Sequence, residues 1–166
     1  TKSGAGTLSL SGVNTYTGNT VISNGTLSAQ NASALGTTAG GTTIASTGTL
    51  DINGVAIGNE TVTVNGGTIT GTSTASLSGG VTLGAANSTI NTSGSLTLSG
   101  VIDDAASTFG FTKSGAGTLI LSSANTYDGT TTFSAGTLSV GNNTALGTGS
   151  LAFNSGSLEA NSAGIN

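Results

Sequence analysis

The triplet Gly-Thr/Ser-Leu/Ile recurs along this chain, ending at Leu8, Leu27, Leu50, Ile69, Leu96, Leu119, Leu138 and Leu158. The steps between these residues are 19, 23, 19, 27, 23, 19 and 20. A period near 20 residues is too short for helical repeats of about 33–47 residues and for propeller blades of about 40–50. Leucine-rich repeats share the length, but their LxxLxLxxN frame is missing. What remains is a β-solenoid, in which each coil carries two or three short strands and buries its apolar face only by stacking on the next. The expected fold class is therefore all-β: a β-solenoid of about seven to eight coils with essentially no helix. At roughly 4.8 Å per coil the rod would be on the order of 40 Å long. The 27-residue step between Ile69 and Leu96 contains Leu77, Val81, Leu83 and Ile90 and reads as an irregular coil or a loop.

A longer period lies over the short one. Residues 112–139 repeat residues 1–28 with 20 identities in 28 positions, at an offset of 111 residues that equals the first five triplet steps together. The only lysines, Lys2 and Lys113, share one repeat position, and so do the only tyrosines, Tyr16 and Tyr127. Residues that recur in step with an architecture belong to the architecture more often than to an active site. The copies also act as a substitution experiment. Ser9 becomes Ile120 and Val21 becomes Thr132, whereas Leu8, Leu10 and Leu27 remain leucine and Ile22 becomes Phe133. The indifferent positions should face solvent and the apolar ones a core, an alternation of period two that marks a strand with one buried face. Leu8, Leu10, Ile22, Leu27 and Ala29 are thus expected to point inward, with Phe109, Phe111, Phe133 and Phe153 filling the core at intervals. Lys113 is expected at the solvated surface. Residues 1–166 read as a single solenoid segment of a longer array, since neither end shows a capping helix or a charged edge.

Composition agrees. Of 166 residues 29 are Gly, and Pro, Cys, Met, Trp, His and Arg are absent. Gly and Asn supply the left-handed conformations that corners demand. Thr, Val and Ile suit the strands, and the lack of Pro suits strands whose N–H groups must each reach a neighbouring coil. Disorder usually combines low hydrophobicity with high charge. This chain is 34% hydrophobic and 5% charged, with its apolar residues at strand spacing.

The stretch KSGAGTLxLSxxNTYxGxTxxxxGTLS resembles the autotransporter-associated β-strand repeat, also called the passenger-associated transport repeat, of bacterial surface proteins. Residues 1–28 and 112–139 carry the resemblance closely, and residues 29–111 share only the triplet spacing. It implies a right-handed parallel β-helix, export by a C-terminal outer-membrane β-barrel that is not in this sequence, and display at the cell surface. The missing cysteines accord with the family's habit of crossing two membranes without disulfides.

Little chemistry is available. The ionisable side chains other than tyrosine are Lys2, Lys113, Asp51, Glu60, Asp103, Asp104, Asp128 and Glu159. Acid–base catalysis needs groups of tunable pKa held close together, and a glycosidase needs two carboxylates at a set separation. The one acidic pair, Asp103-Asp104, would point to opposite faces of a strand, or converge in a solvated turn. No calcium-binding GGxGxDxUx repeat is present, and Asp128 in NTYDGTTT is matched by Thr17 in the first copy. No catalytic, cofactor-binding or metal-ligating residue is therefore assigned, and no cofactor is expected. Two lysines and a formal charge of −4 exclude nucleic-acid binding, which depends on neutralising phosphates. Regular Thr-x-Thr rows could order ice, but Thr61-Val62-Thr63, Thr68-Ile69-Thr70 and Thr72-Ser73-Thr74 do not recur once per coil. The function expected is a non-catalytic stalk or passenger segment of an extracellular, outer-membrane-attached adhesin that mediates adhesion or cell–cell contact. The main alternative is a filament or biofilm-matrix unit stacking end to end on copies of itself, and a polysaccharide-acting β-helix enzyme is the weaker one. Partners would be neighbouring repeats, further copies, or surface glycans and proteins. This segment is not expected to insert into a membrane.

Overall fold

In the computed structural model, which describes residues 1–161, the described chain forms 17 strands and no helix. Every strand pairing is parallel, which requires that the chain circle back between neighbours. It does so around three faces. Face 1 holds the first part of Thr20–Ala29 and of Thr42–Asn53, then Val62–Asn65, Val81–Ala85 and Ile102–Asp103. Face 2 starts with Thr7–Leu10, takes the second part of those two long strands, and continues through Thr68–Thr72, Ser88–Thr92, Phe111–Ser114, Thr131–Phe133 and Leu151–Phe153. Face 3 stacks Ala56–Ile57, Thr74–Leu77, Ser95–Leu98, Thr118–Leu121, Thr137–Val140 and Ser157–Ala160. The two long strands run through a corner without a break and join faces 1 and 2 into one 11-stranded sheet, while face 3 is a separate six-stranded sheet. This is a β-solenoid of eight levels.

Alternation follows from the pleat. In Thr42–Asn53 the buried residues are Thr42, Ile44, Gly48, Leu50 and Ile52, and the residues between them are partly or fully exposed. Like positions superpose into columns. Ile22, Ile44, Val64 and Leu83 stack on face 1, and Ala75, Leu96, Leu119, Leu138 and Leu158 on face 3. The face 2 column is Leu8, Leu27, Leu50, Ile69, Ile90, Lys113, Phe133 and Phe153.

That last column revises the reading of the 27-residue step. From Ile69 to Leu96 there is no oversized coil or loop. One ordinary coil separates Ile69 from its neighbour Ile90 on face 2, and Leu96 lies one face further on, beside Ala75. The triplet leucines thus fill two columns, on face 2 up to Ile69 and on face 3 from Leu96. The 111-residue super-repeat spans five coils plus one face. Lys2 bridges to Ile22 on face 1, whereas Lys113 pairs with Phe133 on face 2. The second copy is turned about a third of a revolution relative to the first.

Most expected core residues are inside: Ile22, Leu27, Ala29, Leu119, Leu138, Phe111 and Phe133 are buried. Leu10 and Phe109 are partly buried against the core. Leu8 and Phe153 are exposed, because they lie on the first and last described levels of face 2 where one side of the column is uncovered. Phe133 meets Phe153 edge to face at 5.2 Å. Corners use glycine where a side chain has no room. Gly25 and Gly136, at φ +71° and +78°, share a repeat position, and a Cβ on either would lie 2.4 Å from a carbonyl oxygen of the coil beneath.

Candidate functional site

The residues that the two copies share turn out to satisfy backbone groups at corners. Lys113 is fully buried, contrary to the surface position expected of it. Its ammonium donates to the carbonyls of Ser114, Gly115 and Ala135 at 2.8, 3.0 and 3.0 Å. Burial pushes its pKa down to about 8. Lys2 makes the equivalent contacts with the carbonyls of Gly4 and Asn24. Corner carbonyls have no strand partner, and a buried acceptor left alone costs free energy. Three carbonyls converging on one ammonium meet that need.

Asn125 acts between levels. Its Oδ1 accepts the Ile102 N–H of the coil below at 2.8 Å, and its Nδ2 donates to the Ala145 carbonyl of the coil above at 2.6 Å. Asn14 makes the matching bond to Ala34 at 2.8 Å. Tyr127 is buried, its hydroxyl 2.7 Å from Thr131 Oγ1. Burial pushes its pKa up to about 12, with the Thr131 contact opposing. Tyr16 pairs with Thr20 in the same way. The signature residues KS, NTY and GTL are therefore fixtures of the solenoid.

The carboxylates lie on several levels, with Asp104 and Asp128 as a close pair. Asp51 accepts the hydroxyls of Ser28 and Thr72, each at 2.8 Å, which ties three levels together. Of the two arrangements open to Asp103 and Asp104, opposite faces of a strand or a shared solvated turn, the structure shows the first. Asp103 faces outward and accepts the Ala105 N–H at 3.1 Å. Asp104 is buried just past the strand Ile102–Asp103 and accepts the Asp128 N–H at 3.3 Å. Desolvation in this corner, then the charge of Asp104, hold the Asp128 carboxyl above the usual carboxylate range. Among the described residues no three His, Cys, Asp or Glu side chains gather where a metal ion could be held.

Two surface features were not legible in the sequence. The first is a row of threonines: Thr7, Thr26, Thr49, Thr68, Thr89, Thr112 and Thr132 occupy one outward position on seven successive levels of face 2. Its parallel row is mixed, running Ser9, Ser28, Asp51, Thr70, Asn91 and Ser114. A once-per-coil threonine row thus exists, but it is single. Spacing concealed it, because the triplet threonines Thr118 and Thr137 move to face 3 and residues outside the triplet continue the row.

The second feature is a groove of about 590 Å³ on face 3 beside the first three levels, bounded by the short strand Ala56–Ile57 that opens the face 3 sheet. Val13, Leu35 and Ile57 give it apolar walls, and Asn14 and Thr15 line its polar side. Glu60 is its charged residue, only 4% exposed, with Thr42 Oγ1 donating to Oε1 at 2.8 Å. Burial raises the Glu60 pKa, and the Thr42 bond opposes this.

Residues 1–29 and 111–140 match the passenger-associated-transport-repeat family. A curated protein, the adhesin BmaC autotransporter of Brucella suis biovar 1 (strain 1330), is 40% identical over 102 residues, which is 58% of this chain. The chain spans 3% of the length of that protein. No solved structure matches the chain.

Proposed function

We propose that this chain, which carries two passenger-associated transport repeats, is a non-catalytic passenger segment of an autotransporter adhesin, displayed outside the cell at the outer membrane. The observation that supports this best is the use to which the shared residues are put. Lys113, Asn125 and Tyr127 all close hydrogen bonds within and between coils, and the close pair among the carboxylates, Asp104 and Asp128, is tied into a corner through the Asp128 N–H. A rod built this way extends a surface from the cell and presents its faces to partners, the second copy rotated by one face from the first. Deleting residues 1–166 from the full-length protein in its own host tests the reading. Adherence or cell–cell contact should fall while the remainder still reaches the surface, as followed by protease shaving. Unchanged adherence with normal display would refute an adhesive role, and loss of polysaccharide cleavage on deletion would refute the non-catalytic one.

A further inference from the structure

At the corner leading into face 1, the residue two before each strand is Gly18, Gly40, Glu60, Gly79 or Gly100. The corner is tight. A Cβ on Gly40 would meet the Gly18 carbonyl at 2.6 Å, and one on Gly100 the Gly79 carbonyl at 2.1 Å. On the third level alone a carboxylate replaces glycine. It is buried, its side chain accepts a hydrogen bond from the neutral hydroxyl of Thr42, and it stands in the wall of an open groove. Burying a carboxylate without a cation costs stability, so a corner that elsewhere uses glycine has no structural need of it.

From this geometry we propose that the groove is a binding site for an alkylammonium group, the side chain of a lysine on an extended segment of a partner protein. The apolar walls Val13, Leu35 and Ile57 suit the four-carbon stem of lysine, which buries readily while its ammonium remains hydrogen-bonded. Glu60 supplies the charge at the end. Neither of the chain's own lysines competes, because both are held by backbone carbonyls and neither lines the groove. A sugar ligand is disfavoured, since no aromatic ring lines the groove as a stacking platform. The site is independent of where the chain is displayed.

The test is a titration of the purified segment, followed by amide NMR shifts, with Gly-Gly-Lys-Gly-Gly blocked at both ends. Parallel titrations use the same peptide acetylated on lysine, and glucosamine. The lysine peptide should give saturable shifts at Val13, Leu35, Ile57 and Glu60 that weaken as salt is added. Acetylation of the lysine should abolish them. Glu60→Gln, which can keep the Thr42 contact, should weaken binding about tenfold, as expected when a charge-assisted hydrogen bond becomes a neutral one. If Glu60→Gln does not fold, Glu60→Gly serves instead, since glycine holds this corner on the other coils, and it should abolish the shifts. The proposal is overturned by no saturable shift at tens of millimolar peptide, by equal binding of the acetylated peptide, by unchanged binding in Glu60→Gln, or by tighter binding of glucosamine.

Discussion

Lys113 makes the stability of this solenoid depend on pH in an unusual direction. In the unfolded chain its ammonium titrates near 10.5, and in the fold near 8. Between these values the unfolded chain binds more protons, so stability rises with pH. Below pH 8 both states hold the proton and the cost of burying the charge is present in full. One pKa unit is worth about 1.4 kcal/mol, so the shift corresponds to roughly 3 kcal/mol at most. Tyr127 opposes it at higher pH. Its hydroxyl titrates near 10 when unfolded and near 12 when folded, so the folded state binds more protons there and stability falls above pH 10. The two windows meet near pH 10. From pH 8 to pH 10 the wild type should gain about 2 kcal/mol, measured as a rising urea midpoint at constant slope. Lys113→Met keeps much of the volume between Ile90 and Phe133 in the face 2 column and removes the titrating group. Its stability should be flat over the same window, and near pH 7 the lost charge burial partly offsets the three carbonyls left without a donor. If both proteins show the same pH profile from 8 to 10, or if wild-type stability falls there, Lys113 is not buried as described.

Leu119, fully buried in the face 3 column between Leu96 and Leu138, should cost about 2–5 kcal/mol on truncation to Ala, read from urea unfolding at pH 7. Asn125→Ala should cost about 2–4 kcal/mol, because the Ile102 N–H and the Ala145 carbonyl both lose their partner in a buried corner. Asn14→Ala, which removes the single bond to Ala34, should cost less, and the order of the two midpoints checks the clamp. Thr92 carries a buried Oγ1 with no hydrogen-bond partner, so Thr92→Val should raise stability by about 1 kcal/mol. A lower midpoint for that variant would show that the hydroxyl is bonded.

What the sequence made legible was whatever depends on spacing alone. The triplet period announced the coil and the paired copies sorted Ile22 and Leu27 from Val21 and Ser9, because burial on a strand follows a period of two. Facing was not legible. A step of 27 residues is a coil plus one face or a coil plus a loop, and only the register of Ile69 on Ile90 separates them. The threonine row was lost for the same reason. The burial of Lys113 was not legible because a charge speaks against a core position, although in Phe111-Thr112-Lys113-Ser114 the odd positions are buried and alternation alone puts the lysine inside. Glu60 left a fainter signal, a glutamate where the strand-minus-two position of other coils holds glycine.

The buried lysine and asparagine have one cause. In a solenoid the strand backbone pairs with the coils above and below, but each corner leaves carbonyls and N–H groups with no ladder to join. Side chains must meet them, and lysine and asparagine do so from inside the rod, where a sequence reading expects only aliphatic residues. The same requirement explains why the two copies agree in 20 of 28 positions although they face different directions and pack in different columns. What recurs is the set of groups that closes a corner, and a corner presents the same unpaired backbone on whichever face it falls.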